Sequence, residues 1–284
     1  MKRLQSRMEK LIALPPSAAL TKTAYSTFDE FLTALERNDI RAAERVQGVW
    51  KAVPWVKQGI LFGFRIGRIA DMSVPSKTKS AHHLSFVDKH TFPTRHFGPK
   101  EGIRIVPGGS SVRRGAYLAK GVICMPPMFV NVGAWIGEKT MVDSHALVGS
   151  CAQIGARVHI SAAAQIGGVL EPVNASPVVI EDDVLVGGNC GVYEGTVVRA
   201  RVVLAAGVVL TRGTPVFDLV KERVHKGSAD KPLEIPENAV VVPGARAVTA
   251  PWGKEQGISL QTPVIVKYRD DKTDAATALE GWLR

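Results

Sequence analysis

Asp143 stands directly after Val142, where comparable stretches of the chain carry Gly, and Glu194 stands two places after Val192. A carboxylate thrown outward from a rigid corner is a candidate for proton transfer or for holding a cation, against the plainer alternative of a solvated corner charge. Arg104, two places after Gly102, offers a planar fork of N–H donors, against the plainer alternative of a surface ion pair. Thiol and metal chemistry find less support. Cys124, Cys151 and Cys190 lack C-x-x-C spacing and read as small hydrophobes in a reducing cytoplasm. The histidines are His82, His83, His90, His96, His145, His159 and His225, and no three have the spacing of a zinc site, so no metal is expected.

What must position these residues is a repeat. Aliphatic residues recur at every sixth place from Val112 through Leu118, Cys124, Val130, Ile136, Val142, Val148, Ile154 and Ile160 to Ile166. The beat resumes at Ile180 and continues through Val186, Val192, Val198, Leu204 and Leu210 to Val216, with an echo at Ile235 and Val241. A period of six fits neither a helix nor a simple strand; it marks a parallel β-helix whose coils each consume three hexads. The residue after each aliphatic is mostly small, and the expectation is that tight corners there need unusual backbone angles. The fourth residue after it is small or β-branched, as a narrow interior requires. Between Ile166 and Ile180, Pro172, Asn174 and Pro177 mark a loop extruded from one corner, and such loops often carry function. Counting that loop as one hexad puts Val142 and Val192 seven hexads apart, on different faces of the prism. Asp143 and Glu194 then share a site only between chains.

The flanks read differently. Basic residues before Leu11 and the Pro15-Pro16 pair fit an amphipathic first helix rather than a secretory signal. Thr27 and Glu30 have capping-box spacing ahead of Phe28, Phe31, Leu32 and Leu35, a helical pattern. Ile40 to Val46 reads as a short helix and Ile60 to Ile66 as a strand. Residues 67 to 103 suggest an α/β cap with long loops. The tail holds one strand at Pro263 to Tyr268 and a helix near Ala275 to Leu283. The expected division is a helical α/β domain over 1–107, a β-helix over 108–250 and a small extension over 251–284. The formal charge of +10 is scattered rather than run together, so small polyanions are better partners than nucleic acid. No apolar run approaches a membrane span.

Specific runs allow a family to be named. Ile40-Arg41-Ala42-Ala43-Glu44-Arg45, Gly48-Val49-Trp50, Trp55-Val56-Lys57 and Phe64-Arg65-Ile66 come first. Gly102 to Pro107, Thr140-Met141-Val142-Asp143, Val148 to Gly155, Ile166 to Pro172 and Tyr193-Glu194-Gly195 follow, in that order. Together they resemble the tetrahydrodipicolinate N-succinyltransferases of bacterial lysine and diaminopimelate biosynthesis, across roughly residues 40 to 270. The resemblance implies a left-handed parallel β-helix, mainly β, with a helical N-terminal domain, assembled as a cytoplasmic homotrimer with active sites in clefts between neighbouring prisms. It implies transfer of succinyl from succinyl-CoA, a cosubstrate rather than a tightly bound cofactor, to the amine of ring-opened 2-amino-6-oxopimelate.

Residue by residue, the resemblance gives Asp143 and Glu194 the two acidic active-site positions and Arg104 the substrate carboxylate. Asp143 would hold or deprotonate the amine, with Glu194 assisting. Ser150 and the Gly167-Gly168 pair line the acyl pocket or offer N–H donors, with plain corner glycines as the alternative. Arg199, Arg201, Arg212, Lys221 and Lys226 are candidates for the CoA phosphates. Two departures stand out: His145 replaces an aromatic usual after Asp143-Ser144, and Ala162 to Ala164 replace a glycine-rich run. The alternative function is another CoA-dependent N-acyltransferase on the same fold, with an acetyl donor or an amino-sugar or amino-acid acceptor. A zinc-dependent hexapeptide enzyme and a non-enzymatic scaffold are the remaining rivals.

Overall fold

A computed structural model describes residues 2–73, 85–228 and 230–273. The hexads fold as two-residue parallel strands, and each strand pairs with the one three hexads later: Trp135 with Gln153, Met141 with His159, Leu147 with Gln165. Three sheets result, two of six strands and one of ten. They are named here by a central residue: the Trp135 face, the ten-stranded Met141 face and the Leu147 face. The recurring aliphatic points inward on every strand, and Ile136, Ile154, Ile160, Ile166, Ile180 and Leu204 are fully buried. Ala134, Ala146, Ala152, Val158 and Ala164, four places after an aliphatic, complete the same core. The extruded loop ends at Val179–Ile180, which pairs with Gln153–Ile154, so the loop does count as one hexad.

The corners obey a different rule from the one the sequence suggests. Left-handed backbone falls on the third residue after the aliphatic, at Lys139, His145, Cys151, Arg157, Ala163, Asp183 and Asn189. The small residue directly after the aliphatic is required by close approach instead. A Cβ on Gly137 would stand 2.6 Å from the Ala156 nitrogen of the next coil, against ordinary contact at 3.4 Å or more.

Three helices precede the prism: α1 (Lys2–Ile12), α2 (Lys22–Glu36) and α3 (Pro54–Ile66). Thr21, not Thr27, caps α2, accepting from the Ala24 N–H at 3.4 Å, and Thr27 lies buried inside the helix. The segment expected as a strand, Ile60 to Ile66, belongs to α3. Pro54 sits at its start, and Val56, Ile60, Gly63 and Ile66 are buried at helical spacing. The rings of Phe31 and Phe28 lie directly on Gly59 and Gly63, where a side chain would collide with them. The segment expected as a helix, Ile40 to Val46, instead enters a hairpin, Ala43–Val46 with Val49–Ala52. Gln47 and Gly48 both take positive φ, as a two-residue hairpin turn demands. The 67–103 region holds the paired strands Ile69–Asp71 and Val87–Lys89.

The helical domain is fastened to the Trp135 face by aromatic and arginine contacts. The Arg41 guanidinium lies 3.7 Å from the Trp135 ring centroid and donates to Gln153 Oε1 at 3.0 Å. Burial pulls Arg41 down to about 10, against the opposing pull of Tyr117 and Glu44. At the far end, Ala239–Ala247 and Ser259–Tyr268 form a long antiparallel pair that extends the Met141 face. The tail strand is thus longer than expected, and the helix expected near Ala275 to Leu283 lies outside the described residues. Among the described residues, no helix is long and apolar enough to cross a membrane.

Candidate functional site

The Met141 face stacks Arg104–Ile105, Ile123–Cys124, Met141–Val142 and His159–Ile160 in register. Arg104 is exposed on the outer side of this wall, two rungs from Met141. Asp143 follows Val142 at the corner, half-buried. Its Oδ1 accepts the Ser144 N–H at 2.7 Å, and its Oδ2 lies 3.7 Å from His159 Nε2. That separation is ion-pair rather than hydrogen-bond distance. His159 enters the sequence analysis only among the histidines that lack zinc spacing. The signal was available: it directly precedes Ile160, so the register lifts it one coil above Met141, beside Asp143. His145 sits at the next corner position with φ 61, exposed, its carbonyl accepting from Gln165 Nε2 at 3.2 Å.

A second group gathers at the corner that follows the Leu147 face. Ser150 is buried, and its carbonyl accepts the Val169 N–H at 3.2 Å. Gly168 packs so tightly over Ser150 that a Cβ would stand 2.6 Å from the Ser150 nitrogen. One coil higher, the Tyr193 ring lies across Gly167 and Gly191, with Cδ1 2.7 Å from where a Gly167 Cβ would be. Glu194 follows with φ 53, exposed, and its Oε2 accepts the Arg212 N–H at 3.1 Å. Ser150, Gly167, Gly168, Glu194 and Arg212 therefore share one corner. Tyr193, the first residue of the Tyr193-Glu194-Gly195 run, joins them.

Asp143 and Glu194 are not brought together within one chain. Val142 belongs to the Met141 face and Val192 to the Leu147 face, as the hexad count required. A cavity of about 1140 Å³ does open near the first coils, walled by Phe86, Phe92, Phe97 and Phe129, but neither acid lines it.

The other basic candidates are dispersed. Arg199 spends its fork on Glu181 at 2.9 Å and Glu234 at 2.8 Å. Burial lowers its proton affinity, but the two carboxylates outweigh burial and raise it. Arg201 donates through Nε to Asn238 at 2.9 Å. Lys221 lies over the Tyr268 ring, 4.1 Å from its centroid, and Lys226 is exposed beyond the same hairpin. That hairpin, Val216–Asp218 with Arg223–His225, turns on buried Asp218, whose Oδ2 accepts the Tyr268 hydroxyl at 2.7 Å. Burial pushes the Asp218 carboxyl up, yet hydrogen bonds from Tyr268, the Lys221 N–H, His225 and the Val220 N–H outweigh it and hold it below the usual range.

A prism of hexads with polar groups collected at its outer corners places the chain among the hexapeptide-repeat proteins. A family model described as "Hexapeptide repeat of succinyl-transferase" matches residues 177–212, and one described as "Tetrahydrodipicolinate N-succinyltransferase N-terminal" matches residues 6–66. The 2,3,4,5-tetrahydropyridine-2,6-dicarboxylate N-succinyltransferase of Bradyrhizobium diazoefficiens is 43% identical over 268 residues, covering 90% of this chain and 88% of its own. That of Sodalis glossinidius is 36% identical over 287 residues, covering 99% and 96%. The chain belongs to the tetrahydrodipicolinate N-succinyltransferase family and is an acyltransferase. A crystal structure titled as a putative N-succinyltransferase from Campylobacter jejuni matches with TM-score 0.53 at 18% identity, covering 87% of this chain and 63% of that one, a likeness of fold.

Proposed function

We propose that the chain moves succinyl from succinyl-CoA to the amine of ring-opened 2-amino-6-oxopimelate, the acyl-transfer step of lysine and diaminopimelate biosynthesis. The observation that carries the reading is the common wall of Arg104 and Asp143. Rungs of a sheet lie roughly 4.8 Å apart, so two rungs set their strands roughly 10 Å apart. An arginine fork at one end and a carboxylate at the other suit an acceptor with a carboxylate at one end and an amine near the other. Asp143 holds the amine and takes its proton as nitrogen attacks the thioester carbonyl; the C–S bond then breaks, and the departing sulfur takes up that proton as CoA leaves as the thiol. Direct attack needs no acyl-enzyme, and the three buried thiols offer no nucleophile.

Glu194 assists across a cleft between two chains. Its separation from Asp143 within one chain favours a homotrimer, in which the Met141 face of one prism meets the Leu147-face corner of the next. There the Gly168 N–H holds the oxyanion, since the Gly167 N–H is spent on the Val192 carbonyl and the Val169 N–H on that of Ser150, and Ser150 lines the acyl pocket. Arg212, beside Glu194, is the best placed of the basic candidates for the CoA phosphates; Arg201, Lys221 and Lys226 stand further along, and Arg199 is already paired. A cytoplasmic setting accords with three free, buried cysteines.

Thiol release from succinyl-CoA and from acetyl-CoA, each with the ring-opened acceptor, tests the reading. Succinyl-CoA should be preferred, and no release with either donor would overturn it. Asp143→Asn should lower kcat by about 10²–10⁴-fold, the usual weight of a positioned general base. An unchanged rate removes Asp143 from that role.

A further inference from the structure

Lys57 is fully buried, and the chemistry proposed above does not use it. It sits in the second turn of α3, and its ammonium leaves the helical domain for the extruded loop. Nζ donates to the Ala175 carbonyl at 2.8 Å and to the Pro172 carbonyl at 3.1 Å. Those carbonyls belong to one turn, closed by the Ala175 N–H on Pro172 O at 3.0 Å. The titratable group facing the ammonium is the Cys151 thiol. Burial holds that thiol up at about 12, so it stays neutral and supplies no counter-charge. Burial likewise lowers the proton affinity of Lys57 itself.

An ammonium buried against neutral carbonyls is an expensive way to fill space, and a methionine of similar length would fill it without desolvating a charge. What the ammonium does that methionine cannot is satisfy two loop carbonyls at once. The loop needs such help because it has left the ladder that satisfies the regular coils. Its further anchors are divided between the two parts of the molecule. Val169 donates to the Ser150 carbonyl at 3.2 Å on the prism side, while Ser176 Oγ donates to the Trp50 carbonyl at 3.3 Å on the hairpin side. Leu170 packs into the core of the helical domain, and Val169 and Ala175 pack against the core of the prism. Gly167 and Gly168 are the first residues of this loop, so whatever fixes Pro172 to Ala175 fixes the direction in which that corner leaves the coil.

We propose that Lys57 is a positioning residue for acyl transfer: it ties the Pro172–Ala175 turn to α3 and so holds the Gly167-Gly168 corner in the geometry that receives the CoA thioester. This rests on reading that corner as the acyl-donor side of the site. The helical domain thereby acts on the reaction without contributing a group that touches either substrate.

Steady-state kinetics on the full chain test it, with succinyl-CoA and the ring-opened acceptor varied separately. Lys57→Met should raise the KM for succinyl-CoA tenfold or more, leaving kcat and the acceptor KM within threefold. Lys57→Arg, which keeps charge and donors, should recover at least half of that loss on a logarithmic scale. Hydrogen exchange over residues 168–178 should speed up in Lys57→Met while α2 stays protected. A role confined to stability predicts a smaller active fraction, seen as a fall in kcat with both KM values unchanged, and that pattern overturns the proposal. So does faster loop exchange with unaltered kinetics. Should Lys57→Met not fold, Lys57→Gln carries the same split, and an unchanged succinyl-CoA KM overturns the proposal there too. Gly168→Ala separates this inference from the reading beneath it. If Gly168→Ala leaves the succinyl-CoA KM unchanged, the corner is not the donor side and both fall. If it raises that KM and Lys57→Met does not, the role of Lys57 alone falls.

Discussion

Replacing Gly149 by Ala should be among the costliest single-methyl changes in the prism. Gly149 has no positive φ, so backbone strain does not protect the position. A Cβ there would lie 2.6 Å from Gly168 Cα and 2.7 Å from the Gly167 carbonyl carbon, both backbone atoms of the next coil. Backbone cannot swing aside as a side-chain tip does, so relief takes a separation of the coils by nearly 1 Å at that corner. Two bonds between the coils span the gap, Gly149 N–H to Ile166 O at 2.8 Å and Val169 N–H to Ser150 O at 3.2 Å. Losing both costs about 2 kcal/mol, and overpacking adds about 1–3 kcal/mol, so the expected loss is about 3–5 kcal/mol. Denaturant titration at fixed protein concentration measures it, since an oligomer's stability depends on concentration. Gly213→Ala is the control, because nothing lies within 4 Å of its Cβ position and it should stay within about 0.5 kcal/mol of the parent. Gly137→Ala meets the same kind of backbone contact away from the Gly167 corner. It should lose comparable stability while keeping activity in the folded fraction, whereas Gly149→Ala should lose both. A cost below about 1 kcal/mol for Gly149→Ala would refute close approach as the reason for glycine after the aliphatic.

Asp218→Asn should destabilise the 216–225 hairpin by about 3 kcal/mol at neutral pH, since buried donors from Tyr268 and two backbone N–H groups lose their charged acceptor. Because Asp218 titrates lower in the fold than in the unfolded chain, its contribution is complete above about pH 4 and is lost as pH falls through the folded value. The gap between parent and variant in urea titrations should therefore close on acidification, and a gap that widens refutes the linkage. Arg104→Lys should raise the acceptor KM about tenfold, a loss of about 1.4 kcal/mol, with the succinyl-CoA KM and the stability unchanged, because an exposed strand residue loses its fork but not its ladder bond. A changed donor KM with an unchanged acceptor KM would place Arg104 on the wrong side of the reaction.

The prism was legible because its code is redundant. Inward position, small interior residue and strand pairing all follow from one period, so the 14-residue step from Ile166 to Ile180 did not upset the assignment of faces. The helical domain lacks that redundancy. Ile60 to Ile66 carries β-branched and aromatic residues of strand type, and only the longer window from Pro54 shows the helical spacing that the packing of Phe28 and Phe31 enforces. Ile40 to Val46 looked helical because Ala42 and Ala43 are apolar, whereas the decisive residues were Gln47 and Gly48, where the backbone reverses. Propensity over a few residues lost to tertiary packing at Ile60 to Ile66 and to turn chemistry at Ile40 to Val46.

The site divides in the same way. Register sets height and face, so Asp143 and His159 on one wall can be worked out from spacing once coils are counted, whereas Arg104 precedes Ile123 by one residue more than three hexads and only the strand pairing places it there. Corner backbone is less transparent. Glycine after the aliphatic invited an argument from φ, but the left-handed residue comes two places later, where Lys139, His145, Arg157 and Asp183 all adopt it. A fold that tolerates such varied side chains at its left-handed corners leaves them free to change without loss of the prism. On the proposed reading, chemistry is then placed by the outward strand residues Arg104 and His159 and by the corner residues Asp143 and Glu194, while stability resides in the residues pointing inward. Lys57 crosses that division. It lies in the helical core, yet its hydrogen bonds end on a segment that has left the repeat, where the period no longer dictates a position and a side chain from elsewhere must supply it.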